Sequence, residues 1–253
     1  MNRDERGGSL REIATELDEQ LASGARRVVV DNTYLTRASR SYVIETASRH
    51  GAATRCVWLE TPLAQAQVNM VERLLERFGS LPPPEELRQL ARREPGLHAP
   101  TTQMRTQREL EAPSEDEGFA AVERIFFERA RGSGREAVLV AAAALRNPEW
   151  NYRFDTAART APHLVFDWLP DGTAEALAVE VARLSSDVSG PIDSAVCAHP
   201  GGAPTCWCRP PLPGIPLAFA RAHGVDLTRS MVVGTSAAHR TLASTLGATY
   251  IDA

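Results

Sequence analysis

Cys197 and His199 stand two positions apart, and after six more residues come Cys206 and Cys208, so three thiols and one imidazole fall within twelve positions. No other feature constrains the fold as tightly, because a tetrahedral ion draws its four side chains to one point and the chain must turn back to bring them there. The intervening Pro200-Gly201-Gly202-Ala203-Pro204 supplies residues for that turn. Four protein ligands leave no open position for water or substrate, so the expectation is a structural zinc ion in a loop spanning 197–208. Cys-x-Cys in extended chain puts both sulfurs on one side, which favours ligands over ordinary buried cysteines. The same dependence makes this loop the first part expected to unfold when metal is lost. Cys56 stands apart in a strand-like run. Thiols that serve as ligands suit a reducing compartment. The sequence has no apolar run long enough for a bilayer and no charged-then-apolar signal segment at its start. The expected location is cytoplasmic, with no membrane partner.

Around the cluster, short apolar runs alternate with amphipathic segments. Leu10, Ile13, Leu17 and Leu21 recur at helical spacing across 9–23, with Ser9 as cap and Gly24 as stop. Val28, Val29 and Val30 read as a strand buried on both faces that ends at Asp31-Asn32-Thr33. A helix over 37–50 and a strand over 54–59 follow. Residues 62–93 are helical, polar and arginine-rich, broken by Pro82-Pro83-Pro84, and 94–117 is poorly periodic. The stretch of about 62–117 reads either as a lid or as a solvated helical pair. A strand over 122–127 completes the first half, and Arg129-Ala-Arg-Gly-Ser-Gly-Arg135 has the composition of a boundary. The Gly-Ser-Gly-Arg run precedes a strand instead of joining strand to helix, which rules it out as a phosphate loop. The second half gives strands over 137–145, 163–168, 192–197, 230–233 and 249–251, with helices over 173–184, 214–223 and 237–246. The expected architecture is therefore α/β: two Rossmann-like three-layer domains, 1–133 and 134–253, with functional groups at the carboxyl ends of the strands.

All 28 basic residues among the 253 are arginine, and the net charge is −4. Codon bias toward Ala, Arg and Gly accounts for lysine-free surfaces, but it does not supply a missing catalytic ammonium. A Walker A loop, a PLP Schiff base and the usual haloacid-dehalogenase (HAD) phosphatase each need a lysine, so none of these operates here in its ordinary form. The acidic balance argues against a broadly basic nucleic-acid surface, though clustered arginines can still make a local phosphate site.

Cys197-Ala-His199 and Cys206-Trp-Cys208-Arg209-Pro-Pro-Leu-Pro-Gly214, followed by His223-Gly-Val-Asp226-Leu-Thr-Arg-Ser230-Met-Val-Val-Gly234, resemble the C-terminal part of the zinc-containing HAD phosphatases, of the histidinol-phosphate and heptose-bisphosphate type. The resemblance covers roughly the last sixty residues and departs from the family at the chemistry. Where the family has Arg-Lys-Pro, this chain has Arg209-Pro210-Pro211. Where it has Val-Gly-Asp and a further aspartate for Mg²⁺, this chain has Val233-Gly234-Thr235 and later His239. The strand that should end Asp-x-Asp-Gly-Thr reads Val140-Ala-Ala-Ala-Ala-Leu145. Alanine can neither attack phosphorus nor bind the ion. Asp167 and Asp171 are wrongly spaced to replace the lost carboxylates and read as a strand end and a turn. The resemblance thus implies a HAD-like fold without phosphatase activity.

In the first half, Asn2-Arg3-Asp4, Val28-Val-Val-Asp31-Asn32-Thr33, Ser39-Arg40, Arg55-Cys-Val-Trp-Leu59, Gln65-Ala-Gln-Val-Asn69 and Glu111-Ala-Pro-Ser-Glu-Asp-Glu-Gly118-Phe119 resemble the kinase half of polynucleotide kinase-phosphatases. That family also joins a kinase-like to a HAD-like half, its HAD half without zinc. The resemblance implies that Asp4 is the general base toward a 5′-hydroxyl and that Asp31 lies where phosphates and Mg²⁺ gather. Arg3, Asn32 and Thr33 would bind substrate or nucleotide. Arg73 and Arg77, one helical turn apart, would clamp ATP phosphates or merely form an exposed arginine face, and Arg37 and Arg40 would serve a phosphate or solvate a helix. The family's Gly-rich loop ending in Lys-Ser does not occur in these residues, so no backbone nest cradles the β/γ-phosphates. One expectation is that the coding sequence starts upstream of Met1 and supplies that loop. With it the implied reaction is transfer of phosphate from ATP, with Mg²⁺, to a hydroxyl of a nucleic-acid end or small molecule. The alternative is a pseudoenzyme that binds nucleic-acid ends or a protein partner.

Overall fold

The computed structural model describes residues 1–2, 7–94, 96–130, 132–150 and 154–253. It is a mixed α/β protein with parallel sheets, as the alternation of apolar runs and amphipathic segments predicts. By its contacts the chain divides into two compact units. The first comprises Met1–Pro62, Glu94–Gly96 and Thr102–Glu128, and the second Leu63–Arg93, Leu97–Thr101 and Arg129–Ala253. The helical stretch read as a lid therefore divides between them, with 63–93 counting in the second unit.

In the first unit, α1 (Leu10–Ala22) starts at a capping box: the Ser9 hydroxyl accepts from the Glu12 amide while the Glu12 carboxylate accepts from the Ser9 amide. It buries Ile13, Ala14 and Leu17 and packs on α2 (Arg37–Arg49), which Thr36 and Ser39 cap in the same way. Strand β1 (Arg55–Glu60) runs parallel to β2 (Ala121–Phe126), in register from Arg55 beside Ala121 to Glu60 beside Phe126. The expected strand at Val28–Val30 does not form a ladder. Val29 is 62% exposed, and among the described residues this run pairs only with residues 1–2. The Met1 amine donates to Val29 O at 2.6 Å, and the Asp31 amide donates to Met1 O at 2.8 Å. β-branched residues favour extended backbone, but a strand exists only where a neighbour takes up its hydrogen bonds.

The second unit is a doubly wound sheet. Its strands β3 (Val138–Ala141), β4 (His163–Trp168), β5 (Ile192–Cys197), β6 (Met231–Gly234) and β7 (Thr249–Asp252) are all parallel, in the order β5-β4-β3-β6-β7. Alternate residues of β3 point to opposite faces and nucleate two cores. Leu139 and Ala141 join Leu164, Phe166, Val232 and the helices α9 (Gly214–His223) and α10 (Ala237–Leu246). Val138 and Val140 join Val165, Val233 and, on the other face, Leu145 of α6 (Ala142–Arg146), Ala158 of α7 (Thr156–Thr160) and Leu184 of α8 (Ala178–Ser185). Helix α3 (Leu63–Phe78) lies against α9 and α10 through a face that includes Val71 and Leu74, both fully buried. It is followed by α4 (Pro84–Arg93) and α5 (Pro100–Glu109), the latter crossing the division between units.

The strand expected over 137–145 is shorter than the sequence suggests. It ends at Ala141, and Ala142–Arg146 is helical. Four consecutive alanines carry no strand preference and are the best helix formers, so the apolar run continues past the point where the sheet stops. No helix among the described residues is long and apolar enough to cross a membrane.

Candidate metal centre

Cys197 is the last residue of β5, an edge strand, so the metal cluster stands at one corner of the sheet's carboxyl edge. Beyond it the chain leaves the sheet and returns, bringing the ligand atoms of Cys197, His199, Cys206 and Cys208 within 4.8 Å of one another. Cys197 Sγ lies 3.6 Å from Cys206 Sγ, 3.3 Å from Cys208 Sγ and 3.6 Å from His199 Nδ1, which is 3.1 Å from Cys208 Sγ. A tetrahedral ion with the metal–sulfur and metal–nitrogen lengths of zinc would separate its ligands by about 3.5–3.8 Å. The four atoms therefore stand close to the corners of such a shell and could hold a metal ion, and none of the cysteines is in a disulfide.

The loop is fixed by contacts that leave the ligand atoms out. Trp168, at the end of β4 and level with Cys197, donates its indole N–H to His199 O at 2.8 Å. The Arg209 guanidinium lies 5.0 Å over the Trp168 ring and donates to Pro200 O at 3.2 Å and Gly202 O at 2.6 Å, closing the Pro-Gly-Gly turn. Trp207, between the last two ligands, is 3% exposed and donates to His98 O at 3.1 Å. Sequence reading overlooked Trp168, Trp207 and Arg209 as parts of the site. The available signal was an aromatic residue inside Cys-x-Cys with an arginine directly after it.

Strand order reverses between β3 and β6, the place where a doubly wound sheet usually binds its ligand. Here β3 ends at Ala141 and is followed by alanines, while β6 ends at Gly234 before Thr235. Gly234 is required, because a Cβ would stand 2.5 Å from His239 Cβ. His239 accepts the Thr235 amide proton at Nδ1, 3.2 Å away, and meets the edge of Phe166 at 5.7 Å. Burial lowers its pKa against the opposing pull of Asp167. Arg146, at the end of α6, binds Glu180 at 2.5 Å and Asp167 at 2.7 Å, and chiefly the Glu180 contact raises its pKa. Asp167 is thus held in an ion pair at the end of β4, and Asp171, at φ 59°, sits in the turn after it.

Of the expected kinase residues, Arg3 and Asp4 lie outside the described residues. Asp31 is exposed and bridges to Asn2; the half-buried Asn32 accepts the amide of exposed Thr33 at 2.8 Å. Arg40 is buried, and its guanidinium forks onto Glu117 through two bonds of 2.7 Å and also donates to Tyr34 O and Glu111 O. Its donors are thus committed to protein acceptors. The salt bridge lowers the Glu117 pKa. Arg37 takes the neighbouring Asp116 at 2.9 Å. Arg73 and Arg77 are exposed on α3 in the second unit, with Arg77 lying 5.8 Å over the Phe78 ring.

Residues 2–95 match the family model described as AAA domain. A comparison with curated proteins finds no match. Among solved structures, a HAD-like phosphatase from Mesorhizobium loti is 18% identical, with 48% of this chain and 73% of that one covered at a TM-score of 0.32. D,D-heptose 1,7-bisphosphate phosphatase from B. bronchiseptica, complexed with magnesium and phosphate, is 19% identical over 46% of this chain and 78% of its own, at a TM-score of 0.31. A HAD-superfamily hydrolase of subfamily IA from Geobacter sulfurreducens is 12% identical over 79% and 86%, at a TM-score of 0.26.

Proposed function

We propose that the chain joins a P-loop kinase-like half, about 1–133, to a zinc-stapled, Rossmann-like half, about 134–253, that is HAD-like but does not hydrolyse phosphate esters. The carboxyl edge of the second sheet carries this reading. At the point where strand order reverses it presents alanine, glycine and threonine, and the nearby Asp167 is tied up by Arg146. A phosphoryl group needs a nucleophile and a cation there, and these residues offer neither. The corner of the same edge holds a Cys3His set of tetrahedral size, which suits zinc by ligand softness and by spacing. Zinc bound there would pin β5 to the loop that follows it and leave no coordination site for chemistry.

For the first half, the match of 2–95 to an AAA domain supports a nucleotide-binding reading. Given a Gly-rich phosphate loop, which these residues do not contain and without which little or no kinase activity is expected, we assign it transfer of phosphate from ATP, with Mg²⁺, to a hydroxyl of a nucleic-acid end or a small molecule. Asp4 is the proposed base, Asp31 the acid nearest the metal and phosphates, and Arg3, Asn32, Thr33, Arg73 and Arg77 the candidate binding groups. Arg40 is a weaker candidate than its motif suggests, since freeing it for a phosphate would leave the Glu117 carboxylate buried without its partner. The second reading is a pseudoenzyme that binds a nucleic-acid end or a protein. It is favoured by the lack of any lysine to meet the β/γ-phosphates. Calorimetric titration of the 253-residue chain with ATP separates the two. Saturable, Mg²⁺-dependent binding supports the kinase, and no heat up to millimolar ATP supports the pseudoenzyme.

A further inference from the structure

The metal loop does more than close on itself. Trp207 lies between two ligands, and both its side chain and its backbone are used by chain segments distant in sequence. The indole N–H donates to His98 O across 109 positions. Leu97, next to that carbonyl, is 4% exposed, and Pro100 is buried with it. The Trp207 carbonyl accepts the Gly214 amide at 3.0 Å, where α9 begins. Gly214 is packed so closely that a Cβ would lie 2.4 Å from Trp207 O and 2.7 Å from Leu81 Cδ1. Residues on both sides of α4, Leu81 before it and His98 after it, therefore rest on the three residues Cys206-Trp207-Cys208 or on the helix start they hold. All of these contacts lie within the second unit.

A side chain between two ligands has little freedom while both ligands are fixed, and it regains that freedom when they are released. We propose that metal binding at the Cys3His site clasps the segment 97–101 onto the second unit through Trp207, so that losing the metal frees this segment as well as the loop. The proposal rests on metal binding by the cluster, part of the function proposed above, and goes beyond it by assigning Trp207 as the coupling residue. The coupling has a plain physical basis. The indole is 3% exposed, so its N–H depends on the His98 carbonyl for a partner, and the bond forms only while the ring is presented in one orientation.

Limited proteolysis with a non-specific protease, the first cuts mapped by mass spectrometry, tests it, alongside metal content by elemental analysis. In the metal-loaded chain the segment 97–101 is expected to resist cleavage. Removing the ion with a chelator should speed cutting there at least tenfold, and restoring zinc should reverse the change. If stripping unfolds the whole unit, the variant Trp207→Phe decides the matter, since it keeps an aromatic ring and removes the indole donor. That variant should retain one metal ion per chain and an uncut β3, while 97–101 is cut roughly fivefold to tenfold faster, the factor expected for one hydrogen bond. A loaded Trp207→Phe chain cut at 97–101 no faster than the parent overturns the clasp while leaving the metal site standing. A parent chain that takes up no metal overturns both.

Discussion

A buried ion pair ties the stability of the first unit to pH. Arg40 and Glu117 are 77 positions apart and meet as a fork with side chains 5% and 2% exposed. Arg40→Ala or Glu117→Gln leaves the other partner without its counter-charge, so each should lower stability by about 3–5 kcal/mol in urea unfolding. Because the Arg40 contact depresses the native Glu117 pKa, the pair's contribution is present above the ordinary carboxylate range and is lost as pH falls through the lowered native value. A loss below 1 kcal/mol would mean that the pair is solvated. His163 acts in the same direction at higher pH. It is wholly buried, neither ring nitrogen has a partner of good geometry among the described residues, Phe154 meets it edge-on at 5.6 Å, and burial lowers its pKa to about 4. The unfolded chain takes up a proton near pH 6.5 that the folded chain refuses until about pH 4. Stability should therefore drop by about 3 kcal/mol as pH falls across that window and level off below it. His163→Leu should flatten this part of the stability–pH curve, and an unchanged slope would assign it to other groups. Neither residue announces its role in the sequence. Arg40 is one of 28 arginines, and its partner is fixed by packing that brings α2 to the 111–117 turn.

At the scale of elements, legibility followed the strength of local signals. Helix α1 was readable because its cap and its apolar period agree, and β4 and β5 form over the expected 163–168 and 192–197 because branched apolar runs there end at polar turns. Helix α5 was not readable, since Pro100–Glu109 has Met104 as its one large apolar side chain and offers only a proline at its first position. Strand β3 was overextended because apolar character alone does not say where a buried strand becomes a buried helix. The four residues Cys197, His199, Cys206 and Cys208 that the fold gathers were legible in the sequence and the supports of their loop were not, since Trp207 reaches a carbonyl that only the fold brings near. The proposed dependence of the loop on a bound ion gives a prediction at this scale. Chelation, or Cys206→Ser, should open 198–208 to a non-specific protease at least tenfold faster than any other site in the second unit apart from 97–101. Mapping the first fragments by mass spectrometry checks this, and first cuts elsewhere would show that the loop holds without metal.

For the whole molecule, the second unit has the strand order of a doubly wound α/β sheet, and the proposed lack of phosphatase chemistry is a question about the residues on its carboxyl edge. In the order β5-β4-β3-β6-β7 the direction of winding reverses between β3 and β6, where alanines follow β3 and β6 ends at the glycine that fits against His239. Hydrolysis through an aspartyl-phosphate needs four groups at once: a nucleophile, a general acid, a carboxylate for Mg²⁺ and a lysine on the phosphate. Such groups act as a unit, so their losses are not additive and restoring one regains almost nothing. The chain should therefore release no phosphate from an aryl phosphate above the buffer rate, with or without Mg²⁺, and Ala141→Asp should remain equally inactive. Folding of the variant is checked by an unchanged far-UV spectrum and metal content. Asp167 does not offer a shortcut, because Arg146 engages its carboxylate at 2.7 Å and Glu180 holds Arg146 in place. Removing that restraint with Arg146→Ala should also leave the rate at background, since a freed carboxylate at the end of β4 still lacks a cation and an acid partner. Turnover by either variant would mean that this half binds a phosphate group through residues not counted among the four, and its non-hydrolytic reading would fall.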